Sequence, residues 1–337
     1  MNLDTLKRAL LNRRPLLNRL HGEETNCYRL FHGAVEGFPG CSIDRYGDIL
    51  LIQTWREPLE PQTLDLISSE IGQALGCHLQ PVWNHRAPSR LGGRPSFNDW
   101  QDPGPFSECI GRELGIRYDV CPRHGGADPL LFLDFRVGRR RIRAAAAHSV
   151  LNLFAYTCGA GIASALAGAH EVWNVDFSAG ALAVGTRNAN LNDITVGQDF
   201  RLIREDVFPV IRQCAGLALG GRLSRKRRQP LTVPRRFFDL IVLDPPRWAK
   251  SAFGTVDVMR DYASLFKPAV LATRPSGAIL ATNNVAAVNA DDWVNTMVRC
   301  AKKTGRSIRS VEILEPEPDF PSPDGRPATK IAWLIVD

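Results

Sequence analysis

Phe238-Asp239-Leu240-Ile241-Val242-Leu243 is a short, mostly apolar run that leads directly into Asp244-Pro245-Pro246-Arg247-Trp248. Such a run is the pattern of a strand buried on both faces, as in parallel sheets covered by helices. The two prolines stop it, because Pro offers no N–H to a ladder and fixes φ. A carboxylate, two rigid residues and an aromatic therefore gather at the carboxyl end of a strand, where open α/β sheets build their binding sites. A strand-ending turn with a solvated aspartate is the competing reading, and the rest of the chain separates the two.

From Leu130 onward, strand and helix patterns alternate as in a doubly wound α/β sheet. Strands are predicted over 150–154, 171–176, 200–204, 238–243 and 278–282. Helices are predicted over 161–169, 178–192, with Ser178 as N-cap, 257–273 and 290–304. Two late strands near 308–314 and 331–336 complete a seven-stranded Rossmann-like sheet with an antiparallel pair. The first part reads differently. Short β elements at 27–31, 41–44 and 49–53 precede a helix over 62–75 and a strand near 79–83. A long Gly/Pro/Ser/Arg loop over 86–105 and a β pair within 106–120 follow. The expected division is a smaller α+β domain over 1–126, closing near Gly125-Gly126, and an α/β domain over 127–337 that carries an insertion at 216–236.

With 337 residues, 44% of them apolar and 23% charged, the chain has the composition of a globular protein. No apolar run reaches the length of a membrane span. Eight scattered cysteines without a C-x-x-C pair give no metal-ligand spacing and no disulfide framework, so reduced thiols and a cytoplasmic location are expected. The net charge of +7, carried mainly by arginine, favours polyanionic partners. Residues 1–20 place Lys7, Arg8, Arg13, Arg14 and Arg19 among leucines, the pattern of an amphipathic basic helix belonging to the fold. The oligomeric state stays open between monomer and homodimer.

After the first strand of the α/β part comes Asn152-Leu153-Phe154-Ala155-Tyr156-Thr157-Cys158-Gly159-Ala160-Gly161. Gly159 and Gly161 allow a tight turn and close backbone approach to a ligand. Asp176 ends the next strand, where a carboxylate bonds ribose hydroxyls. A dinucleotide fits poorly, because Ser164 stands where G-x-G-x-x-G needs its third glycine, and Asn152 is unsuited to pyrophosphate. Asp206 follows the third strand and can accept from an adenine amino group. Glycine loop, ribose acid, adenine acid and Asp-Pro-Pro, in that order on successive strands, match a class I methyltransferase that uses S-adenosylmethionine.

At this level the chain resembles the bacterial large-subunit ribosomal RNA methyltransferases I and K, the latter also found as the C-terminal half of a fused K/L enzyme. The resemblance runs from Asn26 to Asp337. It rests on Leu131-Phe132-Leu133-Asp134-Phe135-Arg136, Asn152 to Thr157, Val175-Asp176-Phe177-Ser178, Asn188 to Asn192, and Asp244-Pro245-Pro246-Arg247-Trp248-Ala249-Lys250-Ser251. It implies cofactor contacts at Phe132, Asp134, Arg136, Asn152, Phe154, Tyr156, Thr157, Gly159, Asp176, Phe177, Ser178, Asn192, Asp206, Val207 and Asp244. It also implies that residues 26–120 form a small domain that helps grip RNA. The pattern is broken at Cys158, where such loops usually carry Gly, and at Ala127-Asp128-Pro129 in place of Lys-Thr-Gly. The separate RNA-binding domain that begins many cytosine-modifying members is expected to be missing, since few residues precede Asn26.

Methylation at cytosine C5 needs a cysteine thiolate to activate the ring. In C5-modifying relatives it follows the strand after Asp-Pro-Pro, but here that stretch is Ala281-Thr282-Asn283-Asn284-Val285. The guanine-N7 branch has an Asn-Asn pair there. N7 already carries an in-plane lone pair, so alignment and desolvation can suffice. The expected catalytic set is therefore Asp244, Pro245, Pro246 and Asn283. Asn284 is an alternative to Asn283 at the base edge, and Trp248 is either a stacking platform or a core aromatic. Arg222, Arg225, Lys226, Arg227, Arg228, Arg235 and Arg236 are expected to hold RNA phosphates beside the site. A methyltransferase of a small molecule or protein, or a non-catalytic RNA-binding module, are the alternatives. No metal is expected.

Overall fold

The computed structural model describes residues 2–86, 96–97, 109–123, 128–219, 231–251 and 254–337. The chain divides into two compact units, Met1–Arg136 with Pro316–Arg326, and Val137–Glu315 with Pro327–Asp337. The division falls ten residues beyond the expected end of the first domain at 126. The first unit also takes back a segment that the sequence reading gave to the second. The expected closing pair Gly125-Gly126 and the insertion's Arg222, Arg225, Lys226, Arg227 and Arg228 lie outside the described residues.

The first unit opens with α1 (Leu3–Gly22). Asn2 caps it by accepting the Asp4 N–H, and Leu6, Ala9, Leu10, Leu16, Leu17 and Leu20 recur at helical spacing on its buried face. Next come β1 (Cys27–His32), β2 (Cys41–Tyr46), β3 (Ile49–Thr54), α2 (Pro61–Leu75), β4 (Gln80–His85) and β5 (Ser96–Phe97). The order in the sheet is β1-β2-β3-β4-β5, antiparallel except for β3 and β4, which α2 connects as a crossover. One core joins α1, α2 and this sheet. The hairpin of β6 (Ile110–Glu113) and β7 (Ile116–Asp119) and a 3-10 turn at Leu133–Phe135 complete the run before the return segment.

The return segment is held by buried charge. Arg136 is fully buried and donates to the Cys27 carbonyl at 3.0 Å and to Asp319 at 2.5 Å. Asp319, equally buried, also accepts the Arg29 N–H at 3.1 Å, while Phe320 lies under the Arg29 guanidinium. Glu317 takes Arg19 at 2.7 Å.

The second unit contains α3 (Arg136–Ala145), whose first residue ends the first unit, β8 (Ser149–Leu153), α4 (Gly159–Leu166), β9 (Glu171–Asp176) and α5 (Ala179–Leu191). It continues through β10 (Phe200–Arg204), α6 (Val207–Cys214), β11 (Phe238–Leu243), the hairpin β12 (Trp248–Ser251) and β13 (Gly254–Asp257), and α7 (Val258–Ala272). β14 (Thr273–Asn283), α8 (Ala290–Lys302), β15 (Ile308–Leu314) and β16 (Lys330–Val336) finish it. The seven-stranded sheet has the order β10-β9-β8-β11-β14-β16-β15. Five strands are parallel, and β16 runs antiparallel to both β14 and β15. This is the doubly wound α/β arrangement read from the sequence, with Leu151, Val175, Ile241, Leu243 and Ile279 in the core. Strand order reverses beside β8, so the ends of β8, β9, β11 and β14 face a switch point. All eight cysteines are free, and among the described residues no helix is long and apolar enough to cross a membrane.

Replacing Arg136 by Met leaves the Asp319 carboxylate buried without its charge partner. The expected cost is about 3–5 kcal/mol, read as a lower urea midpoint. Arg136→Met with Asp319→Leu removes both charges and should recover part of that loss.

Candidate functional site

The loop between β8 and α4 is unusual in its backbone. Phe154, Tyr156 and Cys158 all take positive φ, at 58°, 48° and 65°. Residues with a Cβ enter this region at a cost of roughly 1–3 kcal/mol each and persist where their surroundings hold them. The surroundings here are specific. Ala155 N–H reaches the Val175 carbonyl at 3.0 Å, and Tyr156 N–H reaches Asp176 Oδ2 at 2.9 Å. The Thr157 carbonyl accepts from Asn188 Nδ2 at 2.9 Å. The Cys158 thiol sits against Gly185, where any Cβ would collide with its sulfur.

Asp176, buried at the end of β9, bonds on both sides: Oδ1 accepts the Ser178 N–H at 2.8 Å while Oδ2 holds Tyr156. Burial raises its pKa above the usual carboxylate value, and the N–H groups of Ser178, Tyr156 and Phe177 pull in the opposite direction. Ser178 is the N-cap of α5, accepting from Ala181 N–H at 3.2 Å. Phe177, next to the carboxylate, is 65% exposed, an open aromatic face beside a buried acid.

Other expected contacts have structural partners within the protein. Asn152 is buried and donates to Asn174 Oδ1 at 2.9 Å, and Asn174 donates to the Arg201 carbonyl at 3.3 Å. This polar bridge spans β8, β9 and β10. Gly161 serves the same bridge, since a Cβ there would lie 2.0 Å from Asn174 Oδ1. Asn192 donates to the Asn188 carbonyl at 2.8 Å, a brace one turn beyond the residue that holds the loop. Val207 lies in the core. Asp206 is the N-cap of α6, accepting from Phe208 N–H at 3.0 Å, which fixes its carboxylate at the end of β10. Phe132, half exposed, Asp134 and Arg136 belong to the first unit, and Arg136 is engaged there with Cys27 and Asp319. A guanidinium so enclosed ties the core of the first unit.

At the end of β11, Asp244 accepts a short hydrogen bond from the Thr282 hydroxyl of β14. The Thr282 carbonyl in turn accepts from Tyr262 Oη at 3.0 Å, so α7 pins the strand end from beneath. Pro245 is buried and Pro246 exposed. Trp248 is 51% exposed with the Arg247 guanidinium 5.7 Å from its ring, so the core-aromatic reading does not hold. Asn283 is buried, and its side chain accepts the Val285 N–H at 3.0 Å. Through that bond it closes the turn at the end of β14. Asn284 is exposed. Tyr262 and Asn174 were missed by sequence reasoning, while Thr282 and Asn188 were named only within longer motifs and given no role. Only Thr282, polar at the end of an apolar strand, carried a signal.

A family model described as S-adenosylmethionine-dependent methyltransferase matches residues 28–336. Ribosomal RNA large subunit methyltransferase I of Aeromonas salmonicida is 28% identical over 321 residues, which cover 95% of this chain and 75% of that protein. The methyltransferase K/L of Pseudomonas paraeruginosa is 28% identical over 335 residues, 96% of this chain and 41% of that protein. A methyltransferase crystallised with SAH shares the fold at a TM-score of 0.77 and 22% identity, covering 98% of this chain and 80% of the other. The Agrobacterium tumefaciens methyltransferase does so at 0.60 and 16%, covering 88% of each. The chain belongs to the S-adenosylmethionine-dependent methyltransferase family. The residues at the switch point fit that molecule: a buried carboxylate for paired hydroxyls, the open face of Phe177 for a purine, and bare backbone at Gly159 where α4 begins. When bound, it supplies an electrophilic sulfonium methyl group.

Two outcomes test this geometry. Asp176→Asn replaces an acceptor by an NH2 group that cannot take the Ser178 or Tyr156 N–H, so calorimetry should find S-adenosylmethionine binding at least about tenfold weaker. Because the Asp176 pKa is raised, wild-type affinity falls at milder acidity than an exposed carboxylate would give, and the Asn variant lacks this limb. The sign for the empty protein is opposite. The native state holds this proton more tightly than the unfolded chain, so Asp176 adds stability as pH falls through that range. Gly161→Ala drives a methyl into Asn174 and should cost about 1–3 kcal/mol in thermal or urea unfolding.

Proposed function

We propose that this S-adenosylmethionine-dependent methyltransferase acts on a base of ribosomal RNA, at guanine N7 in preference to cytosine C5. The RNA class is supported by the names of the relatives in both branches and by the net charge of +7. The observation that carries the choice of atom is the end of β14. Thr282, bonded to Asp244, is followed there by Asn283 and Asn284, and no thiol occurs in that stretch.

The cysteines of the second unit lie elsewhere. Cys158 is fully buried, and burial with the Asp176 charge pushes its thiol well up. Cys214 is buried in α6 and pushed up to about 12 by burial. Cys300 is buried in α8. A thiol held protonated makes a poor nucleophile. Guanine N7 needs none: with a bound methyl donor aligned and water excluded, its lone pair would form the N–CH3 bond as the methyl–sulfur bond breaks and the neutral thioether leaves. In this reading Asp244, held by Thr282, accepts from N–H groups on the guanine Watson–Crick edge, and Pro245 and Pro246 keep the carboxylate loop stiff. Trp248 stacks on the base, and Asn284 takes the edge role first assigned to Asn283. The exposed Lys7, Arg8 and Arg14 of α1, together with the basic insertion, supply phosphate contacts.

Nucleoside mass spectrometry of ribosomal RNA from cells with and without the gene tests this. Loss of one 7-methylguanosine on deletion is the expected result. Loss of a 5-methylcytidine would overturn the choice of atom, and unchanged ribosomal RNA would overturn the substrate class.

A further inference from the structure

β16 opens on a lysine, directly opposite the asparagine that ends β14: Lys330 pairs with Asn283 in the antiparallel register, one position beyond Thr282 and Ile331. Lys330 is 3% exposed, so its ammonium has left water almost completely. Among the described residues its two acceptors are both neutral backbone carbonyls. Nζ donates to the Val285 carbonyl at 2.8 Å and to the Ala328 carbonyl at 3.4 Å. Burying a cation against carbonyls alone is unfavourable, and burial lowers the Lys330 pKa from the ordinary lysine value. A methionine would fill similar volume at lower cost. The question is what the ammonium holds.

It holds Val285, and so does Asn283. The Val285 N–H is bonded by Asn283 Oδ1 and the Val285 carbonyl by Lys330 Nζ. Both polar groups of one peptide-chain residue are thus fixed by side chains from the ends of two neighbouring strands. Between the two anchors lies Asn284, whose flanking residues Asn283 and Val285 are buried while it is exposed. On the other side of β14, Thr282 bonds Asp244. The same strand end therefore carries the Asp-Pro-Pro carboxylate contact on one edge and the lysine clamp on the other.

We propose that Lys330 is a positioning residue for methyl transfer: through Val285 it fixes the turn that presents Asn284 beside Asp244, so that the amide meets the base edge in one orientation. The proposal rests on the base-methylation reading for its substrate, but the clamp itself does not. Lys330 acts through the turn and touches neither the methyl donor nor the reacting atoms.

Three measurements on the full-length protein decide it, with Lys330→Met and Lys330→Gln as variants. Gln keeps two N–H donors without the charge or the full reach. Hydrogen exchange followed by mass spectrometry should show faster exchange confined to the peptide over 283–288, in the order Met, Gln, wild type, with the remaining sheet unchanged. Calorimetry should give unchanged S-adenosylmethionine affinity. With ribosomal RNA from gene-deleted cells as acceptor, kcat should fall about 10- to 100-fold in Lys330→Met, since small misplacements cost that much, while KM for S-adenosylmethionine stays put. Asn284→Ala should lower kcat similarly, and adding Lys330→Met to it should lower kcat little further. Unchanged exchange over 283–288 would overturn the clamp. Faster exchange with an undiminished kcat, or losses that multiply in the double variant, would overturn the positioning role. Should the wild type transfer no methyl group to that RNA, the substrate reading fails, and the positioning role fails with it. The exchange arm still decides the clamp in either case.

Discussion

The carboxylate of Asp176 is the constraint on which the cofactor side of this molecule depends. One oxygen takes the N–H of Tyr156, in a loop with three non-glycine residues at positive φ, and the other takes the N–H of Ser178, which begins α5. A single side chain thus joins the end of β9 to the turn after β8 and to the start of the next helix. Removing the bond would free Tyr156 to relax toward negative φ and carry Thr157 and Cys158 with it. The helix reciprocates: Asn188 holds the Thr157 carbonyl, and Gly185 leaves room for the Cys158 sulfur. Strain in the loop is therefore balanced by hydrogen bonds from two elements that are themselves anchored in the sheet.

The fold was largely legible because its signals are local. Buried parallel strands show as apolar runs, and Glu171–Asp176, Phe200–Arg204 and Phe238–Leu243 match their predicted limits. Ser178 announced its helix as an N-cap does. The elements that escaped have weak local signals or depend on distant pairing. α3 begins in an arginine-rich run, α6 is eight residues long, and the β12–β13 hairpin pairs Trp248-Ala249-Lys250-Ser251 with Gly254–Asp257, for which no strand was predicted.

The site was legible in part, for a different reason. Motif residues reveal that a position matters but not what the side chain touches. Asn152 and Gly161 turn out to serve the Asn174 bridge that packs α4 on the sheet, and Asn283 turns a corner. Arg136, grouped with Phe132 and Asp134 in one sequence motif, answers instead to Asp319, 183 residues away. Tyr262 and Asn174 support the site from positions where nothing in the surrounding sequence distinguishes them from ordinary core. Partners far apart in sequence are invisible to spacing arguments, whereas glycine loops and strand-end acids carry their information within a few residues.

The return segment has a consequence for how the chain can be divided. Glu317 and Asp319 are encoded between two strands of the second unit's sheet, yet they neutralise Arg19 and Arg136 inside the first. A truncated chain ending at Arg136 would carry its buried guanidinium without the acid that balances it, and the complementary fragment would carry those acids without their arginines. No single cut between residues 136 and 317 leaves these arginines with their acids. During synthesis the first unit also cannot finish until the ribosome has passed residue 326, so its last step of assembly waits for β8 to β15 of the second unit to be made.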